Sequence, residues 1–213
     1  MSADLLDLAT DERRELAALL EDLAPHEWEH PSLCRGWKVR DVVAHLISYE
    51  DLGVRALVKV VIGSGMRPAA MNARTLAPLR LLPIEELLAL VRERTVPRGL
   101  TALGGGMIAL TDGMIHQQDI RRPLNRPRDI PAARLRPVLH RIRRVPLLPS
   151  AKLMRGLRFV ATDLDWATGD GPEVHGPGET LMLAAAGRDI PLGGISGDGA
   201  AMLRHRLARS LAD

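Results

Sequence analysis

From Leu5 to Leu23 apolar residues recur every three or four positions (Leu5, Leu8, Leu16, Leu19, Leu20, Leu23) with acids and arginines between them, which predicts an amphipathic helix. The stretch APHEWEHPSLCRGW, with two prolines and a glycine, interrupts the pattern. KVRDVVAHLISYEDLGVRALVKVVIG then restores it as far as Gly63. Residues 63–82, punctuated by Gly63, Gly65, Pro68 and Pro78, read as a loop. PIEELLALVRERTV starts a third helix, with Pro83 at its first position and acids in its first turn. A fourth is expected from about Met107 to Arg122, ended by Pro123. Four such helices with few β-branched runs predict an antiparallel bundle over residues 1–123.

Beyond it the pattern changes. Prolines at 123, 127, 131, 137, 146 and 149 predict a stiff connector over residues 124–155, although AARLRPVLHRIRR keeps an interrupted helical spacing. From Gly156 the period falls to two: LRFVATDLDW reads as a strand, and GDGPEV as a turn and a return strand. GPGETLMLAAAGR and GDGAAMLRHRLARSL read as helices. The expected fold class is therefore mainly α, a four-helix bundle followed by a small α+β domain at residues 156–213.

Composition narrows the function. The chain has 213 residues, 46% hydrophobic and 26% charged, and no apolar run approaches the roughly 18 residues of a spanning helix. MSADLLDLAT is acidic and periodic, unlike a secretory signal, and Cys34 is the single cysteine. Both features favour the cytoplasm and exclude an intramolecular disulfide. The net charge is only +3 and aromatic residues are 2%, so neither a basic face nor stacking platforms for nucleic acid are expected.

The richest chemistry is in DGMIHQQDIRR, residues 112–122. On a helix, Asp112 and His116 share a face with Cβ atoms about 5–6 Å apart, close enough to chelate one ion. Asp119 follows on that face, where its carboxylate can accept the second imidazole N–H of a metal-bound histidine. The same spacing also suits an ordinary solvated helix face. A third ligand is needed, and His45, set among Val42, Val43, Leu46 and Ile47, faces inward on the second helix, as either a core residue or a ligand. Two histidines and a carboxylate leave a coordination position open, as catalytic sites require. Arg121 and Arg122 can clamp a substrate carboxylate or simply favour the helix C-terminus. GGISGDG lacks the spacing and lysine of a phosphate loop and reads as a turn, and Glu179, four residues after His175, suits a helix start. Cys34 reads as a buried or loop residue, and Trp28, Trp37 and Trp166 as packing anchors.

PSLCRGWKVRDVVAHL followed by DGMIHQQDIRRPL resembles the mycothiol-dependent maleylpyruvate isomerase family, and GLRFVATDLDWATGDGPEVHGPGETLMLAAAGR resembles its second domain. The resemblance implies a DinB-like metal-binding bundle with a divalent ion, zinc being the expected one, held by His45, Asp112 and His116. It implies mycothiol as cosubstrate and an isomerase or S-transferase reaction on a small electrophile, with the thiol and substrate as partners and neither nucleic acid nor membrane. The chain itself would be a monomer or a homodimer. A metal-bound thiol loses its proton, so no protein cysteine is needed as nucleophile. The competing reading is a non-catalytic binding protein whose metal is structural or lost. Relatives often carry Ser or Thr where Lys38 stands, so the usual N-cap of the second helix is missing here.

Overall fold

The computed structural model describes residues 4–212 except 51, 53, 66, 146 and 147, so Pro146 and the extreme termini read above lie outside the described residues. The chain divides into two compact units, Met1–Pro127 and Arg128–Asp213. No helix among the described residues is long and apolar enough to cross a membrane.

The first unit is mainly helical. Helix α1 (Leu5–Glu21) is capped by Asp4, whose carboxylate accepts the Leu6 N–H at 3.1 Å. After the short α2 (Pro25–Trp28), a loop leads into α3 (Val39–Ile47). Lys38 at the N-cap of α3 has no acceptor to offer, and the cap works in reverse: the Asp41 carboxylate accepts the Lys38 N–H at 3.0 Å. The pattern read as one helix up to Gly63 is two, α3 and α4 (Val54–Gly63), because Glu50 turns into the protein between them. The stretch read as a loop carries α5 (Pro68–Leu79). Pro68 occupies its first position, where a missing N–H costs nothing, and Pro78 falls in its last turn, so neither proline prevents the helix. Burial of Thr75 and Leu76, with α5 packed on α3, supplies what local propensity does not.

Helices α6 (Ile84–Glu93) and α7 (Met107–Arg121) complete the bundle, with α1 and α3 each packing on both of them. Leu16, Leu20, Val42, Val43, Leu87 and Ile120 meet in its core. Gly106 caps α7 with φ 93°, and a Cβ there would stand 2.8 Å from Leu6 Cα, so only glycine lets α7 start against α1.

The second unit begins before the expected strands. Residues 132–153, read as connector, form α8 (Ala132–Arg141), a single tight turn (Ile142–Arg144) and α9 (Ser150–Leu153). Pro131 and Pro149 stand at helix N-caps, Pro137 lies in the interior of α8, and Leu135, Leu139, Ile142 and Leu153 are buried. The sheet is β1 (Arg158–Ala161), β2 (Ala167–Thr168) and β3 (Glu173–Gly176) in the order β2-β1-β3. The expected return strand at GDGPEV runs parallel to β1, and the antiparallel partner is β2. Gly169 explains the difference: at φ 84° its missing side chain lets the chain pass Leu157, whose carbonyl oxygen would be 2.2 Å from a Cβ, and reach the other edge of β1. Helices α10 (Gly178–Ala185) and α11 (Ala200–Ala212) cover the unit, α10 against α8 and β1 and α11 against β3 and α9.

One buried ion pair ties the bundle. Arg13 on α1 meets Glu50, with side chains 10% and 1% exposed, and Glu50 also accepts from Thr101 and, at 2.9 Å, from the Arg98 N–H. Glu50→Ala leaves the guanidinium buried without its counter-charge, and a loss of about 3–5 kcal/mol is expected in urea unfolding. Asp11→Ala, at the exposed Arg14–Asp11 pair (65% and 57%), is expected to cost about 1 kcal/mol or less. Equal midpoint shifts for the two variants would contradict this.

Candidate metal centre

Helix α3 turns Val39, Val42, Val43 and Leu46 inward, and His45 belongs to the same buried stripe. Helix α7 is buried on almost every face, so its polar side chains must find partners inside the protein. Gln117 donates to the Glu12 carboxylate at 2.9 Å, and Arg121 donates to Gln117 at 2.9 Å. Asp112, His116 and Asp119 take the neighbouring face, toward α3.

There the structure brings His45, Asp112 and His116 together, with one donor atom from each all within 4.8 Å of one another. Asp112 Oδ1 lies 3.4 Å from His116 Nε2 and 3.7 Å from His45 Nε2. Those separations are longer than a good N–H···O bond. They match the edge of a tetrahedron whose ligands stand about 2.0–2.1 Å from a shared zinc-type ion, an edge of roughly 3.4 Å. The donor set thus fits a divalent cation. The two histidine side chains are 10% exposed and the Asp112 side chain 41%, so the group opens to solvent along its carboxylate.

The surroundings of the two histidines differ. His116 Nδ1 lies 2.8 Å from Oδ2 of the fully buried Asp119, the arrangement that turns the Nε2 edge of the ring toward Asp112 and His45. His45 Nδ1 is buried with no hydrogen-bond partner among the described residues. Its ring is held by packing: Trp37 at 5.2 Å, Tyr49 edge-on at 5.8 Å and His116 edge-on at 4.8 Å between centroids. The Tyr49 hydroxyl donates to Asn72 at 2.8 Å. Burial raises the Tyr49 pKa, with the charge of Asp112 adding to it against a hydrogen bond to Thr75.

The loop before α3 lies over this group. Pro31 bridges to Lys38, the Ser32 hydroxyl donates to the Trp37 carbonyl at 2.9 Å, and Gly36 makes the bend at φ 76°. The Leu33 N–H donates to the Asp119 carbonyl at 3.0 Å, fastening the loop to α7. Cys34 is thereby placed with Sγ 3.1 Å from Asp119 Oδ2 and 3.5 Å from His116 Nδ1. Sequence reading assigned Cys34 only a buried or loop position and Trp37 only packing, because their approach to α7 is a tertiary contact without a local signal. Tyr49 had such a signal, one helical turn past His45, and was not picked out. Arg121 is not brought to the site: it lies on the opposite face of α7 from Asp112 and engages Gln117, Glu15 and the Arg126 carbonyl. Arg122 ends the helix, its backbone N–H bonded to the Gln118 carbonyl at 3.1 Å.

Residues 9–104 match the family model of the mycothiol maleylpyruvate isomerase N-terminal domain. That span includes the loop and His45 and stops before α7. The fold is similar to the crystal structure of the mycothiol-dependent maleylpyruvate isomerase over 94% of each chain, with a TM-score of 0.57 and 16% identity. It is similar to that of a histidine-to-alanine mutant of that isomerase, also over 94% of each chain, with a TM-score of 0.55 and 15% identity. No curated protein matches in sequence.

The Asp112–His116 pair makes stability depend on pH in protein stripped of metal. Loss of water around the pair disfavours both charged forms, but their mutual attraction outweighs it, and His116, donating from Nδ1 to the Asp119 carboxylate at 2.8 Å, is held charged from that side too. Asp112 is held well below 3.8 and His116 well above 6.5. The raised histidine contributes stability that is complete below pH 6.5 and lost as pH climbs through its folded pKa. The depressed carboxylate contributes above pH 3.8 and loses its share only in stronger acid. In chelator, the stability difference between wild type and His116→Gln should be larger at about pH 5.5 than at about pH 9. A difference that grows with pH would refute the charged pair.

Proposed function

We propose that this chain, whose residues 9–104 match the model of the mycothiol maleylpyruvate isomerase N-terminal domain, is a divalent-metal enzyme that takes a low-molecular-weight thiol, mycothiol or a close analogue, as cosubstrate. Its reaction is isomerisation of, or S-transfer to, a small electrophile, with maleylpyruvate the first substrate to assay. The observation that carries this reading is the convergence of His45, Asp112 and His116 at ligand spacing in a group open on one side.

In this proposal the residues divide the work. His45 and His116 supply nitrogen ligands from the protected interior, and Asp112 supplies the oxygen ligand at the solvent edge. Asp119 keeps the His116 proton on Nδ1, so Nε2 is available without a tautomer change. Trp37, packed on both imidazoles at 5.2 and 6.5 Å, covers them and limits water at the nitrogen side. A zinc-type ion held there supplies the positive charge that lets a thiol lose its proton at neutral pH. The thiolate, belonging to the cosubstrate, adds to an activated double bond; rotation about the resulting single bond and expulsion of the thiolate give the geometric isomer. With a leaving group in place of the double bond, the same thiolate displaces it and stays attached.

A purely structural site is disfavoured by the donor count. Such a site closes with a fourth protein ligand. Cys34, the nearest soft donor, lies at the Nδ1 edge of His116, away from the Nε2 edge where Asp112 and His45 converge. Zinc, the thiol requirement and cytoplasmic residence belong to this proposal together.

Asp112→Ala is the informative variant. Alanine suits a helix interior, so the fold is expected to survive, with the melting temperature lowered by the loss of the Asp112–His116 pair and of bound metal. Metal content after purification without chelators should drop from near one ion per chain, and thiol-dependent turnover should fall with it. Asp119→Ala should lower metal affinity by about 10–100-fold, the range for a residue that orients a ligand. Full metal retention in Asp112→Ala would overturn the ligand assignment.

A further inference from the structure

We infer that Cys34 is a positioning residue for the metal site, acting through Asp119 on His116, and neither a nucleophile nor a metal ligand. The inference rests on the metal reading above and adds to it a residue outside the ligand set.

Two donors converge on one oxygen. Asp119 Oδ2 is approached by His116 Nδ1 at 2.8 Å and by Cys34 Sγ at 3.1 Å, a distance at which the S–H donates to the carboxylate. Asp119 has no exposed surface, and a carboxylate in that setting depends on its donors for both charge and orientation. The loop grips Asp119 twice: Leu33 binds its main-chain carbonyl at 3.0 Å, and Cys34 binds its side chain. Cys34 is fixed in turn, its backbone N–H bonded to the Ser32 hydroxyl at 3.1 Å. A rigid loop therefore holds the carboxylate so that Oδ2 faces Nδ1. With that bond in place, the His116 ring is turned so that its Nε2 edge faces Asp112 and His45.

The geometry also separates this role from a place beside His45 and Asp112 in the ligand set. Sγ stands 3.5 Å from His116 Nδ1, on the ring edge opposite the nitrogen that converges with Asp112. A thiol there cannot join the same ion as Nε2, and it faces a buried carboxylate instead of the solvent side of the group.

Cobalt(II), whose visible absorption reports ligand geometry, is the probe, titrated into the full chain. Cys34→Ala and the bulkier donor-free Cys34→Val should weaken cobalt binding by about 10-fold, the low end for an outer partner, and alter the absorption bands. Cys34→Ser, which keeps an O–H donor, should recover most of the affinity and the wild-type spectrum. Two donor-free variants keep the test open if one of them fails to fold. Cobalt affinity and spectrum unchanged in Cys34→Ala or Cys34→Val, or Cys34→Ser as weak as they are, would overturn the inference while leaving the metal site intact. Wild-type protein that takes up no cobalt would overturn the metal reading, and this inference with it.

Discussion

The hydrogen bond between His116 and Asp119 is the constraint on which the site depends. Helix α7 is enclosed on almost every face, and a buried imidazole and carboxylate are tolerable there only as a pair. Pairing fixes the ring, and the fixed ring aims Nε2 at the gap between α3 and α7. Everything else in the site is arranged around that direction: His45 comes from the buried stripe of α3, Asp112 from one turn earlier on α7, and Trp37 from the loop that Leu33 fastens to Asp119. The enclosure that makes α7 a poor amphipathic helix is what makes it a site builder.

The same enclosure explains how Arg13, Glu12, Glu50 and Gln117 come to lie inside the bundle. They form the polar support on the α1 side of α7, while the histidine–carboxylate group occupies the α3 side. Arg121 belongs to the first set, since its helical position turns it from Asp112 toward Glu15 and Gln117. Two arginines in sequence after the motif looked alike because a linear motif does not display helix faces; an angular count from Asp112 would have separated them.

What could be read from the chain was periodic or local. Helical spacing located α1, α6 and α7, and the i, i+4, i+7 arrangement put Asp112, His116 and Asp119 on one face. The mainly helical fold with a small α+β part followed from the change of period near Gly156. What could not be read was tertiary. Helix α5 gains stability from burying Thr75 and Leu76, Pro131, Pro137 and Pro149 sit at or within helices of the second unit, and β3 is parallel to β1 because of a close backbone passage at Gly169. Cys34 meets Asp119 across 85 residues of sequence, a contact that no spacing rule announces.

X-ray absorption at the zinc edge of metal-loaded protein tests the central claim most directly, because it counts ligand types without reference to activity. The account predicts a first shell of nitrogen and oxygen only, at about 2.0–2.1 Å, with the outer-shell pattern of two imidazoles. A sulfur scatterer near about 2.3 Å would place Cys34 in the first shell, and protein that holds no zinc would remove the site altogether; either result contradicts it.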